Sequence, residues 1–264
     1  MEIYGVAGYK ESGKSTLANT IAEVAQAQGK TAESLETRNE VTAVANAWRR
    51  QFNLDLNDDP VILANRWIAD SLVAAVATQT HFEITPTMLE QLQIADNPDG
   101  RSRNEQLLKY LKRTQSDPQF MLVPIDGDIK DEHRPILSWL GSRLIEVVHP
   151  HIWIASVVNK IKGMEAVDTV TVAGLRYPHD AQQLQALGAL IIRTYRPGNQ
   201  LTRDPVELSI DKIKPDVIVQ CDGELGDLRQ VAFQVIKNYI AWRGSNPPVA
   251  LSARTLAAAA ASER

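Results

Sequence analysis

The chain lacks several features that would place it in a specialised class of protein. It has 264 residues but a single cysteine, Cys221, which excludes an internal disulfide and makes a cysteine-rich metal site unexpected. No apolar run approaches 18 residues, and the N-terminus has neither a charged n-region nor a long apolar h-region. We therefore expect a cytoplasmic protein with no membrane partner.

The chain also lacks an excess of basic residues. Lysine and arginine together number 28 against 32 acidic residues, so the formal net charge is -4. No global positive field is present to hold a nucleic-acid polymer, and any phosphate group must be bound by a local cluster of residues. The five histidines are scattered and do not have the spacing of metal ligands.

Short apolar strands alternate with amphipathic helices along the chain. Hydrophobic periodicity predicts strands at residues 2–7, 168–173, 189–194 and 216–220, and helices at residues 14–27, 40–52, 60–77, 135–148, 152–162, 179–187 and 225–242. Strands separated by helices pair in parallel through right-handed crossovers. The pattern predicts an α/β fold, a doubly wound parallel sheet flanked by helices.

Two segments depart from this rhythm. Residues 97–134 are polar, contain turn signals, and are predicted to form a helical or irregular insertion with one short helix near residues 104–112. Residues 244–264 begin with Ser-Asn-Pro-Pro and end in alanines, which indicates a mobile C-terminal tail. A single domain is therefore expected over residues 1–243.

A phosphate-binding motif lies between the first strand and the first helix. Residues 8–15, GYKESGKS, match G-x-x-x-x-G-K-[ST], the P-loop of nucleotide-binding proteins. In such a loop the lysine reaches the β- and γ-phosphates and the hydroxyl ligates Mg²⁺, so Lys14 and Ser15 are assigned these roles. The residues predicted to bind ATP are Gly8, Lys10, Ser12, Gly13, Lys14, Ser15 and Thr16.

The loop alone does not identify the phosphate acceptor, because GTPases, ATPases and small-molecule kinases share it. A GTPase would need Asn-Lys-X-Asp, and residues 159–162, NKIK, lack the carboxylate. A hexameric ATPase would usually end a strand in acidic residues, whereas the strand at 168–173 leads into AGLR. These absences favour a small-molecule kinase.

Arginines suited to a kinase occur in the second half of the chain. Arg176 follows a predicted strand at the edge of the sheet where ligands of such folds bind. Arg193, Arg196 and Arg203 surround a Pro-Gly-Asn loop that could act as a lid, although a solvated loop charge is an equal alternative. The predicted catalytic residues are Lys14, Arg176, Arg196 and Arg203, and further candidate arginines are Arg38 and Arg143.

Three segments of the second half also resemble a known family. Residues 134–143 (RPILSWLGSR), 149–153 (HPHIW) and 175–181 (LRYPHDA) agree in order and spacing with the phage-type deoxynucleoside monophosphate kinases. Glu207, residues 215–219 (PDVIV) and residues 222–228 (DGELGDL) look like the closing part of that family. With the phosphate loop, the resemblance covers residues 1–28 and about 134–240.

The resemblance implies an adenylate-kinase-like core that transfers phosphate from Mg-ATP to a deoxynucleoside monophosphate. It makes Arg176, Asp180 and Glu207 candidate acceptor-binding residues. Arg38 and Arg143 are further candidates as arginines, and so is Trp153, although its helix spacing is more typical of a core aromatic. The family usually has Thr-Asp where this chain has Ala173-Gly174, so one expected carboxylate is absent.

Two alternatives stay open at this point: a kinase for another small molecule, and a nucleotide-binding protein that has lost catalysis. The absent carboxylate keeps the second of these open. The accepted base, the sugar preference and the formation of a homodimer are also left open by the sequence.

Overall fold

The computed structural model describes residues 1–53, 55, 57–95, 98–126, 129, 131–198 and 205–262. The chain divides into two compact units. Met1–Thr37 together with Val157–Arg264 form one, here called the sheet unit. Arg38–Ser156 form the other, here called the helical unit. The predicted insertion, residues 97–134, lies within the helical unit.

The sheet unit is built on six strands, in the order β2-β3-β1-β4-β5-β6 across the sheet. Each pairing between them is parallel. The strands are β1 (Glu2–Gly8), β2 (Ala32–Glu36), β3 (Thr169–Leu175), β4 (Leu190–Tyr195), β5 (Val217–Gln220) and β6 (Val249–Ser252). The predicted α/β fold with a parallel sheet is therefore confirmed.

Helices cover both faces of this sheet. On one face, Leu17 and Ile21 of α1 and Val231 of α12 form a core with Tyr4 and other residues of the strands. On the other face, a side chain on Gly5 would meet Leu184 of α10. The helices are α1 (Lys14–Ala27), α10 (Pro178–Gln185), α11 (Pro205–Ile210), α12 (Leu228–Lys237), α13 (Tyr239–Trp242) and α14 (Ala253–Ser262).

Two strands were not predicted from the sequence. The β2 segment, AESLE, contains no β-branched or aromatic residue, and it is a strand because it pairs with β3. The segment expected to be a mobile tail supplies β6, which pairs with β5, and Ala253 at its end is fully buried. Pairing of β6 covers what would otherwise be the open edge of β5.

The helical unit has its own hydrophobic core. Trp48 and Trp67 stack at 3.9 Å between ring centroids, and each indole N–H donates to the other residue's carbonyl oxygen. Trp139 stacks on Trp48 and donates to Asn104. The helices are α2 (Thr37–Arg50), α3 (Pro60–Trp67), α4 (Val73–Thr80), α5 (Pro86–Leu92), α6 (Pro98–Arg103), α7 (Glu105–Ser116), α8 (Arg134–Val147) and α9 (Ile152–Lys162). The chain crosses between units within α2 and α9.

One helical run, Pro60–Thr80, is long and apolar enough by length and composition to cross a membrane. Its residues Leu63, Trp67, Leu72 and Val76 are fully or almost fully buried in the core of the helical unit. A core helix of a soluble protein can be equally long and apolar. Burial of these residues indicates that the run packs as a core helix.

Candidate functional site

The loop between β1 and α1 has a backbone suited to binding an anion. Glu11 and Gly13 both have left-handed backbone conformations, with φ of 62° and 86°. Left-handed residues in a tight loop turn successive N–H groups toward a common concave surface. Gly13 also occupies the N-cap of α1, where glycine adopts this conformation without the strain that a side chain would add.

The N-terminus of α1 is open toward this loop. No side chain caps the helix, and its first turn contains no acidic residue, within residues 8–27 that the structure describes without a gap. The first N–H groups of a helix have no acceptor within the helix, and together with the helix dipole they present a positive end. The one nearby carboxylate in the loop, Glu11, is exposed and lies 3.7 Å from the Lys10 ammonium.

Contacts with β4 hold the loop in place. The buried hydroxyl of Ser12 lies 2.7 Å from that of Thr194, and Thr194 Oγ1 also donates to the carbonyl oxygen of Ala7. A Cβ atom at Gly8 would overlap both hydroxyls. Residue 8 must therefore be glycine for this approach of the loop to the strand.

A buried thiol also packs against the loop. Cys221 follows β5, and a Cβ atom placed on Gly13 would lie 3.2 Å from its sulfur. Burial raises the pKa of the Cys221 thiol to about 11, which makes it a neutral packing group at neutral pH.

The two residues expected to act on phosphate and metal begin α1. Lys14 Nζ donates to the carbonyl oxygen of Tyr9 at 2.9 Å, so the side chain folds back across the loop. Ser15 is half-buried and Thr16 is exposed. The predicted ATP-binding residues thus lie together in one loop and the following helical turn.

Two arginines follow the strands on either side of β1, the strand that leads into this loop. The strands β3 and β4 both pair with β1, and Arg176 and Arg196 come directly after them. Both side chains are exposed, and neither guanidinium forms a hydrogen bond or ion pair with any residue in the described part of the chain. Arg193 differs, because it lies 3.9 Å from Asp211. Arg203 lies outside the described residues.

Asp180 positions the turn that carries Arg176. One carboxylate oxygen accepts hydrogen bonds from the backbone N–H groups of Arg176 and Tyr177, at 2.9 and 3.0 Å. The other oxygen is 3.2 Å from His179 Nε2. The Asp180 side chain is buried, so its observed contacts are those of a cap at the start of α10. Glu207, another predicted acceptor-binding residue, lies in α11.

Gly174 occupies a bulge in β3 beside the loop. Val6 pairs with Ala173 but Ala7 pairs with Leu175, so Gly174 is an extra residue in the strand. Its φ is +86°, and its carbonyl oxygen accepts a hydrogen bond from Thr37 Oγ1 at 2.8 Å. A Cβ atom would lie 3.0 Å from that hydroxyl. The local backbone therefore disfavours any side chain here, including a carboxylate.

The remaining predicted residues belong to the helical unit. Arg38 is exposed in the first turn of α2. Arg143 is buried, donates to the carbonyl oxygen of Gln91 and pairs with Glu146, while its Nε has no hydrogen-bond partner among the described residues. Trp153 is buried in the core and donates to the carbonyl oxygen of Gly141 at 3.2 Å.

Sequence reasoning missed Thr194 and Cys221, which both contact the loop. Each lies at the carboxyl end of a strand that neighbours the loop in the folded sheet but is far from it in the sequence. Thr194 ends the predicted strand at 189–194 and Cys221 follows the one at 216–220, which was the available signal, because ligand sites of parallel sheets lie at this edge.

Compared with protein-family models and with curated proteins, the chain matches no family and no individual protein. The function is therefore argued from the motif at residues 8–15 and from the backbone of this loop.

Proposed function

We propose that this protein binds ATP at residues 8–15 and transfers the terminal phosphate to a small acceptor. The observation that carries this proposal is the loop itself: the motif lies between a strand and a helix, with left-handed Gly13 at an uncapped helix N-terminus. An anion is the ligand that such a backbone prefers. The fold class, under this proposal, is that of the P-loop nucleotide-binding proteins.

The residues of the loop have distinct roles in this proposal. Backbone N–H groups cradle the phosphates, and Lys14 exchanges its hydrogen bond with Tyr9 for one to the β- and γ-phosphates. The residues present fit Mg²⁺, because Ser15 offers a hydroxyl in the first helical turn, where no side chain caps the helix. When bound, the metal would neutralise charge on the phosphate oxygens.

The acceptor proposed is a deoxynucleoside monophosphate. Its support is the resemblance of residues 134–181 to the phage-type family, together with the two exposed arginines. Arg176 and Arg196 follow the two strands that pair with β1, and in this proposal they compensate charge on the moving phosphoryl group. A phosphate acceptor is already anionic at neutral pH, so catalysis would rest on position and charge without a protein base.

Other parts of the proposal rest on the sequence alone. They are the participation of Arg38, Arg143, Trp153, Asp180 and Glu207 in acceptor binding, the role of Arg203 as a lid residue, and a cytoplasmic location.

A second candidate is a nucleotide-binding protein without turnover. It is favoured by the bulge at Gly174, which excludes a carboxylate where the resembled family has one. A kinase acting on a different small molecule is the other alternative, and it shares the same loop.

The proposed acceptor is tested by measuring ADP release from Mg-ATP across a panel of deoxy- and ribonucleoside monophosphates. We expect turnover that depends on one deoxynucleotide, and its loss in Lys14→Ala. Lys237→Ala, in α12, is a matched control for removal of a lysine. Tight ATP binding with no turnover on any nucleoside monophosphate would contradict a nucleotide acceptor and favour either the second candidate or a kinase for another small molecule.

A further inference from the structure

A contact between α1 and β2 fixes how these two elements face each other. The Ser34 hydroxyl donates to Asn19 Oδ1 at 2.7 Å. Ser34 is in β2 and Asn19 is in α1, so these side chains lie between the strand and the helix. Residues on the same face of α1 as Asn19 and on the same face of β2 as Ser34 therefore also face each other.

One step toward the carboxyl edge of the sheet brings two functional groups opposite each other. Ser15 is four residues before Asn19, on the same face of α1 and about 6 Å closer to the helix N-terminus. Glu36 is two residues after Ser34, on the same face of β2 and about 6.6 Å farther along the strand. The N-terminus of α1 lies at the carboxyl edge of the sheet, because α1 follows β1 and runs antiparallel to the strands. Moving from Asn19 to Ser15 and moving from Ser34 to Glu36 therefore both lead toward that edge.

Between Glu36 and the loop, the intervening strand carries a small side chain. In register, Glu36 pairs with Ala173, and Ala173 pairs with Val6 of β1. Ala173 packs in the same core as α1, so its side chain is on the sheet face that α1 covers. At the position between Glu36 and Val6, β3 therefore contributes only a methyl group. Glu36 is half-buried, which suits a carboxylate at the rim of a site.

We infer that Glu36 supplies the carboxylate of the Mg²⁺ site, directly or through one water molecule, together with the hydroxyl of Ser15. This inference rests on the proposed ATP-binding function and assigns the metal chemistry of the same site. Mg²⁺ in nucleotide sites is typically held by one or two carboxylates plus phosphate oxygens and water. Residue 174 is a glycine in a left-handed conformation that disfavours any side chain, so β3 offers no carboxylate at this position. Glu36 lies on the adjacent strand, on the face that contacts α1 through Ser34.

The test is ATP binding measured by titration calorimetry with Mg²⁺ and with EDTA, for the wild type, Glu36→Gln and Glu33→Gln. Glu33 is the matched control, because it is exposed on the opposite face of the same strand. We expect Mg²⁺ to strengthen ATP binding by about 10-fold or more in the wild type and in Glu33→Gln, and by less than about 3-fold in Glu36→Gln. In EDTA, all three should bind ATP equally or Glu36→Gln slightly more tightly.

Electron paramagnetic resonance of Mn²⁺ gives a second readout. With ATP present, Mn²⁺ bound to Glu36→Gln should show an affinity about 10-fold lower than in the wild type, and Glu36→Asp should recover part of it. An unchanged Mg²⁺ effect and unchanged Mn²⁺ affinity in Glu36→Gln would overturn the inference. That result is distinct from failure of the proposed function, in which the wild type itself would not bind ATP.

Discussion

Gly174 shows how a single backbone conformation can determine which chemistry a site contains. Its φ of +86° and the 3.0 Å approach of a Cβ atom to Thr37 Oγ1 both oppose a side chain. We expect Gly174→Asp to destabilise the fold by about 1–3 kcal/mol, because an L residue is strained in this bulge. Urea unfolding followed by circular dichroism measures the change.

Gly226→Ala is the control for Gly174→Asp. A Cβ atom at Gly226 meets nothing within 4 Å, and its φ is not in the left-handed region. Its stability should stay close to that of the wild type. If Gly174→Asp were as stable as the wild type, the bulge would not explain the missing carboxylate.

At the residue scale, the sequence predicted the loop but not its surroundings. Gly8, Gly13 and Lys14 could be predicted from the sequence, because the motif fixes their spacing within eight residues. Glu36 and Thr194 were not readable, because what brings them to the loop is strand pairing between distant segments. Thr194 was marked only by its position at the end of a predicted strand, and Glu36 was marked by no local pattern.

The hydrogen bond between Ser12 and Thr194 joins the loop to the sheet at the scale of elements. Thr194→Val removes the hydroxyl that contacts Ser12 and Ala7 while nearly preserving the side-chain volume. We expect stability to fall by about 1–2 kcal/mol, because the buried Ser12 hydroxyl loses its partner. ATP affinity should fall by about 10-fold as the loop loses its anchor, which fluorescence titration with a nucleotide analogue can measure.

Thr42→Val is a matched control for Thr194→Val. Thr42 is a threonine of α2 in the other unit, and its hydroxyl donates to the backbone oxygen of Arg38 one helical turn away. This variant should bind ATP like the wild type. Equal ATP affinity in both variants would show that the anchor does not shape the loop.

The elements that were missed share a physical reason. Helix-forming residues dominate β2, and the short β6 follows a Ser-Asn-Pro-Pro segment that indicates a chain end. Both are outer strands of the sheet, and both are strands because a neighbour supplies hydrogen bonds. The central strands β1, β3 and β4 are apolar enough to be predicted from composition, because buried parallel strands read as continuous hydrophobic runs.

On the scale of the whole molecule, one buried histidine couples stability to pH. His133 stacks on Phe120 at 4.1 Å, and its Nδ1 lies 3.0 Å from the Tyr110 hydroxyl. Burial, followed by the nearby Arg49 charge, lowers the pKa of His133 to about 4. A histidine with a depressed pKa stabilises the fold fully above its unfolded value of 6.5 and loses that contribution as pH falls toward 4.

We therefore expect the free energy of unfolding to fall by about 2 kcal/mol between pH 7 and pH 5, since each pH unit below 6.5 is worth about 1.4 kcal/mol. Urea unfolding followed by tryptophan fluorescence suits the measurement, because Trp48, Trp67 and Trp139 lie in the same unit. His133→Gln should lose this dependence. An identical loss of stability in wild type and variant would assign the effect to other groups. Hydrogen bonds from Thr31 lower the pKa of the Asp168 carboxyl, so any effect of its protonation on stability falls at a lower pH than that of His133.

The most direct test of the central claim is equilibrium binding of ATP to the wild type and to Lys14→Ala, with Lys237→Ala as the control. We expect the wild type and Lys237→Ala to bind ATP with equal affinity, and Lys14→Ala to bind at least about 100-fold more weakly with an unchanged circular dichroism spectrum. Failure of the wild type to bind ATP, or equal binding by Lys14→Ala, would contradict a nucleotide site at residues 8–15.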